Sequence, residues 1–457
     1  MSTNNTIFDG SAANFAFAFR ANDITSDWMK QAIKDWFDLY FQREASKKAD
    51  PCQKIPFTIV QKITKAAFSE YSATSKDEFA QKALDALREK TAEAMQMALI
   101  GGECKLKPVL SKDGFRFLVV NRGNILVFGR DEAGNMTDIG TTEKTADANF
   151  YYTLLERRTV DANGYLTIRN ALYRSGSKEA LGQQVPLQTL PKYEMLPDVY
   201  TFPNPVGSVG MSTLKTPMVN CVDGGPDCVS VYAAAAELIH NINRNEAQLN
   251  GEFERGESRI IVSRDLMKTD AHGRPTLEDN VFVGLDDDQE TVGVTIFSPE
   301  LREASFLARK QEYLRNVENV IGLKRGLLSE VEAAERTATE ITSSQGEYNL
   351  TIIDFQRMWE QAVREAVRLC GVLGQMYNVS GAHEVAEDAI VFNWGNGVLY
   401  DEEATRTRML SEVQAGLLQP ERYLGHVYKQ PCETDAQRAK IRKDYMPEVA
   451  EEPEEDE

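Results

Sequence analysis

The sequence has no Cys-x-x-Cys pair, no His-Glu-x-x-His or His-x-His, no His beside a Gly-x-Ser-x-Gly elbow and no run of eighteen apolar residues. Each absence removes a class. Six cysteines (Cys52, Cys104, Cys221, Cys228, Cys370, Cys432) spread over 457 residues make neither a disulfide framework nor a zinc or thioredoxin-like site, so a reducing compartment is expected. The four histidines (His240, His272, His383, His426) fall far apart and in different predicted elements, and neither a catalytic residue nor a metal or cofactor is expected. The N-terminal stretch lacks a basic segment followed by an apolar core, so neither secretion nor membrane spanning is expected. Positive charge is short as well. With 51 Lys+Arg against 70 Asp+Glu, the net charge of −19 argues against a basic surface built to grip nucleic acid or anionic lipid.

What is present is length, and a change of periodicity along it. At about 150 residues per domain the chain is long enough for about three domains and a large core. Residues 26–101 have a helical pattern. Ser26 is placed to cap a helix with apolar positions Met29, Ile33, Trp36, Phe37 and Tyr40; Thr74 or Ser75 is placed to cap another through Phe79, Ala83, Leu84, Leu87 and Ala94, stopped by Gly101-Gly102. From Lys105 to Tyr173 short β-rich runs (115–120, 125–128, 150–155, 165–168) alternate with the turn signals Asp113-Gly114, Gly134-Asn135 and Asn163-Gly164, which predicts an antiparallel sheet. The Pro/Gly-dense stretch 190–226 predicts an extended domain junction.

Beyond it, 230–254 predicts a helix about 38 Å long. Arg259–Val262, Val281–Val283 and Val292–Phe297 predict a small β module around the turn-rich stretch 269–275, and Ser298-Pro299-Glu300 predicts the start of a second helix. A helical pattern from about Ala338 to Tyr377 contains Gly346, which predicts a kink or a late start there. Residues 389–394 predict a strand, and 401–429 two helices hinged near Gly416 and Pro420. From Met446 to Glu457 there are seven acids and no base, the signature of a disordered tail.

Three patterns resemble functional motifs without completing them. Gly207–Thr216 lacks the Gly that a phosphate loop places before its Lys-Thr, Leu214 standing there instead. Asp286-Asp-Asp288 with Glu290 lacks the alternating spacing that turns successive oxygens into one cation cage. The helix pair 401–429 has a helix-turn-helix outline, and a DNA-binding regulator or another soluble oligomer is the alternative reading; its second helix offers only Arg422, His426 and Lys429 to a duplex.

An architecture remains: two long helices joined by a β insert, then a loop and a longer helix. Such a protomer does not bury all its apolar faces alone, and association with copies of itself is expected. Val231-Tyr-Ala-Ala, Arg255-Gly-Glu-Ser-Arg-Ile-Ile-Val-Ser, Ser298-Pro-Glu-Leu-Arg302 and above all Thr337-Ala338-Thr339-Glu340-Ile341, followed by Tyr348 and Thr351-Ile-Ile, resemble the portal proteins of tailed bacteriophages, in particular those of siphophages of Gram-positive hosts. Phe392, Asp401 and Gly416-Leu-Leu fit the same pattern. The resemblance spans roughly residues 200–430 and departs at Asn220–Val229, where related chains carry a Pro-Leu-Gly-type turn.

The resemblance implies an α+β fold and a ring, expected to be dodecameric, at one capsid vertex of the virion. Double-stranded DNA passes through such a ring without sequence reading, driven in by the terminase large subunit; head-completion adaptor, major capsid and scaffolding proteins are the further partners. It implies a wing over 1–225, stem helices over 226–255 and 298–320, a clip over 256–297, a channel loop over 321–337, a long helix and wing return over 338–400, and a crown over 401–445. Lys324 and Arg325, flanked by Gly322 and Gly326, fall on the channel loop. A flexible loop carrying them would touch phosphates transiently; the alternative is that both pair with Glu330 or Glu332 of a neighbouring copy.

Overall fold

A computed structural model describes residues 11–41, 52–111, 114–147, 149–255, 259–262, 268–269, 272, 275–276, 294–297, 301–330, 338–394, 402–428, 430–432 and 434–446. In chain order the regular elements are α1 (Ser11–Phe19), α2 (Asp27–Phe41), α3 (Ile55–Phe68), β1 (Ser72–Ser75), α4 (Glu78–Arg88), α5 (Thr91–Gly101), β2 (Glu103–Ser111), β3 (Gly114–Asn121), β4 (Ile125–Arg130), β5 (Met136–Ala146), β6 (Tyr151–Val160), β7 (Leu166–Ser175), β8 (Gln183–Val185), β9 (Val199–Thr201) and β10 (Ser212–Lys215). They continue with α6 (Ala236–Arg255), β11 (Arg259–Val262), β12 (Lys268–Thr269), β13 (Pro275–Thr276), β14 (Val294–Phe297), α7 (Glu303–Ile321), α8 (Ala338–Met376), β15 (Ile390–Asn393), α9 (Glu402–Gln414), α10 (Pro420–Val427) and α11 (Asp435–Tyr445). Among the described residues every strand pair is antiparallel, in keeping with an α+β fold.

The largest core lies among α2 to α8 and the sheet β10-β2-β3. Ser26 caps α2 by accepting from the Met29 N–H at 3.1 Å, and Trp36, Ile33 and Phe37 on its inner face are almost fully buried. The cap expected at Thr74 or Ser75 is instead Asp77, whose carboxylate accepts from the Ala80 N–H at 2.8 Å, because Ser72–Ser75 is spent as a strand against β15. The single helix expected from there to Gly101 is two, α4 and α5, separated at Glu89-Lys90; Gly102 at φ +85° ends the second. A side chain at Gly102 would come within 2.4 Å of the Cys228 carbonyl oxygen, so the chain crosses there at backbone contact.

The second body is the meander β4-β5-β6-β7-β8, with β9 also on β7. Its turns are the expected ones: Gly134 and Gly164 sit at φ +81° and +83°. Gly140 on β5 leaves a slot for Phe15 of α1, whose ring lies 2.6 Å from where a Cβ would stand. Two charge clusters, each around a buried carboxylate, tie the bodies together. Lys107 on β2 reaches Glu156 on β6 with two contacts of 2.8 Å, and Arg158 binds Glu156 at 2.8 Å and the Val209 carbonyl at 3.0 Å. Arg122, fully buried, donates to the Ile125 carbonyl at 2.8 Å and to Asp227 at 2.9 Å, and Arg130 reaches the same Asp227 oxygen at 2.6 Å.

The Pro/Gly-dense stretch is not a free connection. It supplies β9 to the meander and β10 to the core sheet, and it buries Phe202, Val206, Val209 and Met211. Proline and glycine break repetitive structure locally, yet they leave short strands available where a neighbouring edge accepts them. The departure at Asn220–Val229 has its own turn chemistry: Asn220 accepts from the backbone N–H groups of Val222 (2.9 Å) and Asp223 (3.2 Å), and Asp223 from that of Gly225 (2.9 Å).

The helix expected from Ser230 starts six residues later, after a 3-10 turn at Ala233–Ala235, because the Ser230 hydroxyl donates to the Leu99 carbonyl and the Tyr232 hydroxyl to that of Trp36, holding 229–232 against α2 and α5. The second long helix begins at Glu303; the expected start at Ser298–Glu300 lies outside the described residues. α6 and α7 run antiparallel, joined by Arg302–Glu252 near one end and Lys310–Glu246 (2.9 Å) further along. β11 pairs with β14 and β12 with β13 between them; Val281–Val283 and the Asp286–Glu290 cluster lie outside the described residues. α8 passes through Gly346 as one 39-residue helix. Gly416, at φ +73°, and Pro420 separate α9 from α10, and α11 follows with a Thr434/Gln437 capping box. The acidic tail beyond Met446 lies outside the described residues.

Candidate functional site: the turn after the second long helix

The two adjacent cations stand immediately after α7. Gly322 ends that helix in the left-handed region at φ +75°, with the Leu323 N–H donating back to the Glu318 carbonyl at 2.8 Å, a helix stop that an L side chain would strain. A Cβ on Gly322 would also stand 3.1 Å from the Thr351 hydroxyl of α8. The next four residues, Lys324-Arg325-Gly326-Leu327, close a β-turn: the Leu327 N–H donates to the Lys324 carbonyl at 3.1 Å, and Gly326 takes φ +88° at the third position, where a type II turn needs it. Arg325 is thereby exposed at the tip and Lys324 half-buried beside it. Among the described residues neither cation makes an ion pair.

The turn is tied down at several points rather than standing free of the core. Leu323 is buried, and Leu327 and Leu328 pack on the main core. Beneath them lies Glu318, a carboxylate with no solvent exposure. It accepts from the backbone N–H groups of Gly326 (3.1 Å), Leu328 (2.5 Å) and Ser329 (2.9 Å) and from the Ser329 hydroxyl (2.8 Å). Gln311, two turns earlier on the same helix face, accepts from the Glu330 N–H at 2.9 Å. Neither acceptor is conspicuous in the sequence, since a Glu inside a polar helix has the spacing of a solvated face.

Of the Thr337–Ile341 motif, Thr337 lies outside the described residues, and Ala338, Thr339, Glu340 and Ile341 form the first turn of α8. The histidines stay apart: His240 pairs with Asp35 at 3.0 Å and His383 with Asp77 at 2.7 Å, in different elements. Two hydrogen bonds favour the charged form of His383. The Gly381 carbonyl is the larger influence and Asp77 the next, and together they raise its pKa above the ordinary value. Among the described residues no group of three or more His, Cys, Asp or Glu could hold a metal ion, and no helix is long and apolar enough to cross a membrane. Lys215 and Thr216 come at the end of β10, with Lys215 opposite Glu103, rather than at a helix N-terminus able to cradle phosphate. α10, the second helix of the helix-turn-helix outline, is eight residues long and buries Glu421 under Arg442 of α11.

The sequence of residues 86–440, more than three-quarters of the chain, matches the family model described as phage portal protein, SPP1 Gp6-like. The chain belongs to the SPP1 Gp6-like phage portal proteins. Comparison with curated proteins finds no match. Among solved structures, this portal protein is similar to a chain of the neck of an empty GTA particle computed with C6 symmetry (12% identity, TM-score 0.45, covering 87% of this chain and 94% of that one). It is similar also to a chain of the neck of a native GTA particle computed with C12 symmetry (12% identity, TM-score 0.43, covering 91% and 97%). Similarity at that level leaves the family assignment to the sequence match, which begins within α4 and runs into α11 of the portal chain.

Proposed function

We propose that copies of this portal protein, twelve in the expected ring, close around a channel at one vertex of a siphophage capsid of a Gram-positive host. Double-stranded DNA passes through it without sequence reading, moved in by the terminase large subunit and later released through a head-completion adaptor. Assembly in the host cytoplasm with major capsid and scaffolding proteins precedes its place in the virion. The family match over residues 86–440 carries this reading. In these terms 1–225 is the wing, 226–255 and 298–320 the stem helices, 256–297 the clip, 321–337 the channel loop, 338–400 the long helix and wing return, and 401–445 the crown.

Two observations support it. The first is apolar surface on the helix pair: Phe253, Leu307 and Val320 are 43%, 44% and 50% exposed, and Leu350 on α8 is 64% exposed. A neighbouring copy would cover them. The second is charge. A net −19 per chain lets polyanionic DNA slide where a basic lumen would bind and hold it, since each neutralised phosphate releases counterions and adds affinity. The ring is then a conduit with no chemistry of its own, and Lys324 and Arg325 are its local points of phosphate contact. Negative-stain class averages of the purified protein are expected to show a rotationally symmetric particle with a central hole; a monodisperse monomer would overturn the proposal.

A further inference from the structure

The described part of the expected channel loop, residues 321–330, is hydrogen-bonded back onto α7. Three backbone N–H groups and one hydroxyl from residues 326–329 converge on the Glu318 carboxylate, which is fully buried, and the Glu330 N–H adds an anchor at Gln311. A buried carboxylate has lost its water, so it holds these donors strongly, and releasing them would leave both the charge and the amides unpaired. The donors fall on both sides of Leu327, so the segment cannot swing about Gly326 without breaking them. Glu318 also supplies the carbonyl that caps the helix end through Leu323. One residue therefore fixes the entry to the turn and its exit.

We infer that Glu318 is a positioning residue that locks the Lys324–Arg325 turn to α7, so that the two cations move with the helix as one body rather than as a free finger. A phosphate pressing on Arg325 then displaces α7, and a shift of α7 carries the cations with it. The consequence for DNA transport rests on the reading of this turn as the DNA-facing segment; the lock itself does not.

Trypsin reads the lock directly, because Lys324 and Arg325 are its own cleavage points and a protease needs a locally opened chain. The assembled wild-type protein is cleaved, and the rate after Lys324 and Arg325 is compared with the rate after Lys178, an exposed residue in the connection between β7 and β8. Glu318→Gln keeps the side-chain shape but presents an amide to the converging donors. It is expected to raise that ratio about tenfold while the thermal midpoint of the whole protein moves little. Should Glu318→Gln fail to assemble, Ser329→Ala, which removes one of the four bonds, is expected to raise the ratio about threefold. An unchanged ratio in the variant that assembles, or a wild-type ratio already as high as the variant's, overturns the lock. Packaging by the Lys324→Ala/Arg325→Ala double variant tests the DNA-facing reading separately: normal packaging with a raised Glu318→Gln ratio leaves the lock standing and removes its role in transport.

Discussion

Replacing Glu156 with Gln tests what joins the core sheet to the meander. Burial alone would raise the Glu156 pKa, but Arg158 and Lys107 outweigh it and hold the carboxyl down at about 2, from an ordinary value of 4.5. At about 1.4 kcal/mol per pKa unit, the depression corresponds to about 3 kcal/mol of stability. Because the folded pKa lies below the unfolded one, that stability is complete above about pH 5 and is lost as the pH falls toward 2. About 2 kcal/mol of it is already gone at pH 3. The Gln variant lacks the titrating group and leaves the buried Arg158 and the half-buried Lys107 without a countercharge, a loss of about 3 kcal/mol at neutral pH. Denaturant unfolding of both proteins at one protein concentration, at pH 7 and at pH 3, gives the two stability differences. The difference is expected to shrink by about 2 kcal/mol on acidification, all other carboxylates titrating alike in both. A difference of equal size at the two pH values would refute the account, because the pair would then contribute packing and not charge.

Three further outcomes follow from the same structure. Gly102→Ala adds a Cβ 2.4 Å from the Cys228 carbonyl oxygen at a residue with φ +85°, and is expected to cost about 2 to 4 kcal/mol, read as a lowered melting temperature; an unaltered melting curve would contradict the close crossing. His383 should titrate by NMR above its ordinary 6.5, since its pKa is raised, so its bond to Asp77 is present in full below that value and is lost as the pH rises through the folded pKa. Asp77→Asn keeps an N-cap for α4 and should bring the midpoint down, so a midpoint that stays put would exclude Asp77 as a cause. Replacing Lys324 and Arg325 together with Ala should leave ring assembly intact but change packaged DNA length or retention; unchanged length and retention would remove the two residues from the DNA path.

Period and punctuation determined a good deal of this protein from the sequence alone. The 3.6-residue spacing of Met29, Ile33, Trp36 and Tyr40 made α2, Gly134 and Gly164 made the meander turns, and Gly101-Gly102 and Gly322 ended helices, because each depends on neighbours within a few residues. The Thr337–Ile341 motif and its surroundings pointed to the family for the same reason: a motif is local. What only the tertiary structure decided are pairings between distant segments. Ser72–Ser75 became a strand and not a helix cap because residues 390–393 lie beside it, more than 300 positions on. The 190–226 stretch was absorbed into two sheets because β7 and β2 offered it edges. Lys107 and the buried Glu156 became a pair across 49 residues of chain. The turn carrying Lys324 and Arg325 is the mixed case. Its two glycines announced it, but whether it was loose or held depended on the buried Glu318 carboxylate, and burial is a property of the packed core that no spacing within a polar helix encodes.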